Sequence, residues 1–133
     1  MKWVLALDPG SDKCGYAVVR YDGTAGEKGV VLLHDLPNIV RRLCTDPFPE
    51  AIVIGKGTAR TGTAALIESV AMGLPVHFVQ EKNTTREARE RYFRDNPPQG
   101  LWRLVPIGLQ FPSRPIDDYA AWIIGERYLR SNL

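Results

Sequence analysis

A chain of 133 residues, 44% hydrophobic and 24% charged, is sized for one domain over 1–133 whose core needs no disulfide or structural metal. Its net charge of +2 permits an anionic partner without demanding one, so any nucleic-acid argument rests on where the cations stand. Cys14 and Cys44 have neither C-x-x-C spacing nor a nearby histidine pair, which argues against zinc and redox motifs. No apolar run approaches the roughly 20 residues that span a bilayer, and the N-terminal run ends at Asp8, too early for a signal-peptide core. The expected location is cytoplasmic, with no membrane partner.

Trp3 to Leu7 reads as a first strand and Gly15 to Tyr21 as a second, joined by a tight loop through Pro9 and Gly10. Asp8 therefore stands at the mouth of a buried sheet. A carboxylate there needs a metal ion, a basic partner or a backbone cap, and an Asx-type turn is as good a reading as a metal ligand from this stretch alone. Asp22-Gly23-Thr24 supplies a turn into a third strand, Lys28 to Leu33.

Leu36, Ile39, Val40 and Leu43 fall at helical spacing behind Asp35, which suits an N-cap, and Pro47 and Pro49 end the element. Ala51 to Ile54 is a short buried strand closed by Gly55. Ala64 to Met72 reads as a helix stopped by Gly73, and Val76 to Val79 as a fifth strand that delivers Glu81 to its end. Thr84-Thr85-Arg86-Glu87 is a capping box, and Glu87/Arg91 and Glu90/Arg94 stand four apart, so most of this helix's charge is expected to be self-paired and solvated.

Residues 95–114 are punctuated by Pro and Gly and hold Trp102, Arg103, Phe111 and Arg114, which suits a mobile substrate-gripping loop, a packed irregular segment or both; for Trp102 and Phe111, packing inside the segment is a simpler reading than stacking on bases. Pro115 suits the first turn of a last helix running to about Leu129. His34 and His77 fit structural roles better than general bases. Three antiparallel strands followed by βαβαβ predict an α/β fold, a five-stranded mixed sheet with helices on both faces.

Functional groups of such sheets gather at the carboxyl ends of parallel strands. Asp8, Glu81 and either Asp117 or Asp118 converge there, with Asp8 and Glu81 about 10 Å apart at their backbones if strand four lies between strands one and five. Hard divalent ions take carboxylate oxygens, and such a cluster suits phosphodiester hydrolysis. For any one of these acids taken singly, a local role as turn former, ion-pair partner or helix-terminal charge is the simpler account.

Four segments in order resemble the YqgF family, relatives of the RuvC Holliday-junction resolvases in the RNase H-like superfamily. Asp8-Pro9-Gly10 with Gly15-Tyr16-Ala17 resembles D-x-G-x-x-x-x-G-x-A, and Ile54-Gly55 through Gly62-Thr63 resembles V-G-x-P-x-x-x-x-G-[ST]. Gln80-Glu81-Lys82-Asn83-Thr84-Thr85-Arg86-Glu87-Ala88 looks like D-E-R-x-T-T-x-x-A, and Ile116-Asp117-Asp118-Tyr119-Ala120-Ala121 like [IV]-D-x-x-A-A. Here Gln80 replaces an acid, Lys82 an arginine, and Lys56-Gly57 the x-P pair. The middle acid follows strand five rather than strand four, which favours YqgF over RuvC.

The resemblance spans residues 4 to 129. It implies an RNase H-like fold and a nuclease dependent on Mg2+ or Mn2+. Asp8, Glu81 and Asp117 would be its catalytic metal ligands, with Asp118 an extra acid in the same turn. It implies processing of the small-subunit ribosomal RNA precursor or cleavage of branched DNA, so structured RNA or branched DNA is the expected partner. Gly10, Lys13, Lys56, Arg60, Lys82, Thr84, Arg86 and Arg114 are the candidates to hold flanking phosphates. Action on a symmetric junction would require a homodimer with two sites facing the two cut strands. A non-catalytic nucleic-acid-binding module with the same fold is the alternative. An actin-like nucleotide hydrolase is less apt, since no Walker lysine-serine pair follows Gly55-Lys56-Gly57-Thr58 and 133 residues are expected to leave no second lobe to close over a nucleotide.

Overall fold

The structure, a computed structural model, describes residues 2–45, 47–55, 67–69, 71, 73–79, 84–106, 109–112 and 114–131. Five strands, β1 (Trp3–Pro9), β2 (Lys13–Arg20), β3 (Ala25–Leu32), β4 (Ile52–Gly55) and β5 (Val76–Val79), form one sheet in the order β3-β2-β1-β4-β5. β1 pairs antiparallel with β2 and β2 with β3, whereas β4 runs parallel to both β1 and β5. The predicted mixed sheet is thus present, and β4 does lie between β1 and β5. Among the described residues the helices α1 (Leu36–Leu43), α2 (Thr84–Asp95) and α3 (Asp117–Ser131) accompany it, and residues 67–69 are helical as well. The helix expected over 64–72 lies mostly outside the described residues.

β1 is buried on both faces, which is why it reads as one continuous apolar run. Trp3, Leu5 and Leu7 pack with Leu36 and Val40 of α1, together with Ile67 and Ala71. Val4 and Ala6 pack with Ala17 and Val19 of β2 and with Ala121, Ile124 and Leu129 of α3. The strand's alternation therefore assigns Asp8, next after Val4 and Ala6, to the α3 face.

α3 lies close to the sheet because small residues face it. A Cβ built on Gly125 would meet Val19 Cγ2 at 2.6 Å and Ala6 Cβ at 3.1 Å. α2 packs on the outer side of α3 through Ala88, Tyr92, Tyr119, Ala120 and Ile123.

That layer corrects the expected pairing of α2's charges. Arg91 bonds Glu126 and Glu87 accepts from Arg127, both across to α3, and within the helix Arg86 bonds Glu90. Helical spacing shows which side chains share a face; the packed neighbour decides what they bond. Glu126→Gln is expected to cost about 1–2 kcal/mol in urea unfolding, because it leaves the Arg91 cation, 17% exposed, without its charged partner.

Two caps also differ from expectation. Asp35 precedes α1 but makes no side-chain cap: it is already in helical conformation at the end of the 3-10 turn Leu33–Asp35, and Pro37 in the first turn has no N–H to offer. At α3, Ile116 supplies the carbonyl that accepts from the Tyr119 and Ala120 amides, so the helix starts two residues beyond Pro115. Residues 100–104 form a 3-10 turn held by buried Gln110, whose Nε2 donates to the Trp102 and Val105 carbonyls. Trp102 and Phe111 are 62% and 82% exposed, not packed inside the segment as the sequence predicts. Among the described residues the Gln110 amide holds the backbone of the turn, and both rings stand on the outer side of it.

Candidate functional site

The site is built on the pairing of Asp8 with Gly15 across β1 and β2. Directly opposed residues of an antiparallel pair point to the same face, with Cβ positions about 4.5–5.5 Å apart. On that face the Cβ position of Gly15 is taken by α3: a Cβ there would lie 2.0 Å from the Asp117 carbonyl oxygen and 2.7 Å from Asp117 Cβ. The first turn of α3 is therefore seated on Gly15, on the face of the sheet to which Asp8 belongs.

Both acids act on one neighbouring thiol. Cys14, buried beside the pair, has its thiol pushed well up, first by burial and then by the negative charge of Asp8, with a smaller push from Asp117. Burial also raises the Asp117 carboxyl above its ordinary value. The adjacent Asp118 charge adds to this, and Lys13 partly offsets it. Asp117 is thus a half-buried carboxylate whose negative charge is incompletely compensated, the condition a cation relieves. Two oxygen-donor side chains at one sheet edge fit a hard divalent ion. Among the described residues no group of three His, Cys, Asp or Glu converges. Glu81, the third expected ligand, lies outside the described residues, as do Lys56, Arg60 and Lys82.

Asp118 takes a different direction from Asp117. Its carboxylate, 3% exposed, accepts from Arg114 Nη1 at 3.2 Å and Nη2 at 3.3 Å and stands 3.9 Å from Lys28 Nζ. These groups edge a cavity of about 480 Å³ lined by Lys13, Lys28, Val30, Leu32, Arg114 and Asp118 among others. Lys28 lies 4.4 Å from the centre of the Tyr119 ring, and the Arg114 guanidinium packs over Tyr92 and Tyr119. Sequence reasoning passed over Lys28. Its available signal was alternation, since Lys28, Val30 and Leu32 share one parity of β3 and the first of them is a cation on a face otherwise apolar.

The other candidates divide. Lys13 opens β2 beside Asp117. The Gly10 amide donates to the Lys13 carbonyl at 2.7 Å, so it closes the β1–β2 loop. Thr84 is buried at the start of α2, and Arg86 is exposed and bonded to Glu90. His77 stacks on Tyr128, and His34 is exposed beside Asp35. On the far side of Tyr92 a groove of about 420 Å³ runs between the end of α2 and Trp102 and Phe111.

None of the described helices is long and apolar enough to cross a membrane. No family model matches the chain, and no curated protein sequence does. Solved structures do. A RuvC from T. thermophilus in complex with Holliday junction substrate superposes with a TM-score of 0.61 at 16% identity, over 99% of this chain and 96% of that one. A second Thermus thermophilus RuvC structure gives 0.53 at 15% identity, over 92% and 90%. The chain has the RNase H-like fold of RuvC.

Proposed function

We propose that this protein is a divalent-metal-dependent nuclease that hydrolyses phosphodiester bonds in structured nucleic acid. The observation that carries the reading is the seating of Asp117 on Gly15, directly across from Asp8. A helix packed that closely onto a strand edge brings two carboxylates together at a cost in charge repulsion and desolvation, which a bound cation repays. Glu81, which follows β5 by two residues in the sequence, is the third proposed ligand, and Mg2+ or Mn2+ the proposed ion. When bound, such an ion activates water and stabilises the leaving oxygen of a phosphodiester.

The chain's own part is positional. Asp8 and Asp117 present oxygens from rigid elements, a strand end and a helix start, and Lys13 holds positive charge beside them for an incoming phosphate. Likeness in fold to a protein solved with a Holliday junction supports branched DNA as substrate, and the YqgF-like motifs support structured RNA, including a ribosomal RNA precursor. A binding module without catalysis gains nothing from paired carboxylates facing a polyanion.

The test is cleavage of a labelled four-way DNA junction and of a structured RNA with Mg2+ or Mn2+. Strand scission of at least one substrate that stops in chelator is expected. Binding of both substrates with no scission under any metal would overturn the proposal.

A further inference from the structure

Between β3 and the start of α3 two cations, Lys28 and Arg114, stand on one buried carboxylate, and a third, Lys13, lines the same cavity. Asp118 is nearly inaccessible and engages Arg114 through both guanidinium nitrogens, with Lys28 at 3.9 Å. Lys13 is shared with Asp117, so even with both carboxylates counted three cations face two anions, and the cavity keeps a net positive balance of charge. Its cations are also pre-positioned: Lys28 and Arg114 lie against the faces of Tyr119 and Tyr92, which restricts the rotamers they must give up on binding. The cavity, about 480 Å³, is open to a phosphate group and its flanking sugar.

Its place on the sheet is defined by register. Val30 of β3 pairs with Gly15, and Gly15 with Asp8, on the face that α3 covers. Two strand spacings, about 10 Å, separate the cavity floor from Asp8. One nucleic-acid strand can touch both.

We infer that this cavity is a phosphate-binding subsite for the backbone beside the cleaved bond, in which Lys28 and Arg114 contact phosphate and Asp118 acts as a positioning residue that orients them. The placement next to the cleaved bond rests on the nuclease reading, but the binding chemistry of the cavity stands apart from cleavage. Asp118 here is a counter-ion, and its neighbour Asp117 is the acid seated on Gly15, the residue opposite Asp8.

The experiment measures binding of a fluorescein-labelled four-way DNA junction by anisotropy in chelator, across a salt series. Lys28→Ala is expected to weaken binding about five- to tenfold at low salt and to reduce the slope of log K against log[salt] by about one. Lys28→Arg should restore both. Asp118→Asn adds net positive charge, so weaker binding in that variant, with Asp118→Glu recovering part of it, marks positioning and not charge, and tighter binding overturns the positioning role; thermal melts of each variant identify any loss that comes from unfolding. Arg41→Ala, on α1 across the sheet, is the control for charge removal alone. A Lys28→Ala slope equal to that of Arg41→Ala overturns the subsite even if the wild type cleaves. A slope lowered as expected in a protein that never cleaves upholds the subsite and sinks the nuclease.

Discussion

Asp117→Asn is expected to lower cleavage by about a hundred- to a thousandfold while raising the Tm of the metal-free protein by a few degrees. The two effects have one origin. Burial and the Asp118 charge raise the Asp117 carboxyl above its ordinary value, so ionised Asp117 is held at a cost to the fold. The sign follows from linkage. Between the ordinary carboxylate value of 3.8 and the raised one, the folded chain binds the proton that the unfolded chain releases. This contribution is fully present below that window and is lost as pH climbs through it. Asparagine keeps the shape and removes the charge, so the variant should lose that slope and melt higher at neutral pH. Metal addition should then raise the wild-type Tm and leave the variant's nearly unmoved. A variant that melts lower than wild type at pH 7 and still cleaves would contradict both halves.

Gly15→Ala should be the most damaging substitution of a single methyl group. The added Cβ would sit 2.0 Å from the Asp117 carbonyl oxygen, and backbone cannot rotate away as a side chain does. Relief requires the start of α3 to lift from the sheet. Overpacking of this kind costs about 1–3 kcal/mol, and the helix start carries Asp117 with it, so cleavage should fall further than stability. Gly100→Ala separates the two effects. Gly100 has φ of +62 with open space around it, so alanine there costs about 1–2 kcal/mol in backbone strain without moving either acid. Equal losses of activity in the two variants at matched stability would show that the Gly15 contact does not set the position of Asp117.

Much of this architecture is legible in the chain because it depends on local period. The apolar runs of β1, β4 and β5, the Asp-Gly turn between β2 and β3, and the bounds of α1 follow from alternation, turn chemistry and helical spacing. Strand ends are less so. β2 begins at Lys13 rather than Gly15, and β3 at Ala25 rather than Lys28, because ladder bonds extend through residues whose side chains carry no apolar signal.

Other features depend on which element packs where. Gly15 reads as a flexible entry to a strand, and only the position of α3 shows that its missing Cβ is occupied. Two adjacent aspartates look equivalent in sequence. Successive helical positions are separated by about 100°, so the pair must diverge, yet which one meets the sheet edge is decided by Arg114 and Lys28. The pairing of Glu87 and Arg91 with α3 is hidden for the same reason.

The three tryptophans have settled in three unlike surroundings. Trp3 is buried in β1 with its indole N–H on the Pro47 carbonyl. Trp122 is half-buried on α3 and donates to the Gly23 carbonyl, and Trp102 stands out in water. The protein therefore carries its own set of fluorophores, with a blue-shifted pair reporting the sheet and the helix laid on it. A red-shifted, iodide-quenchable one reports the outer groove, so that events at that groove and loosening of the fold can be told apart by colour without attaching a label.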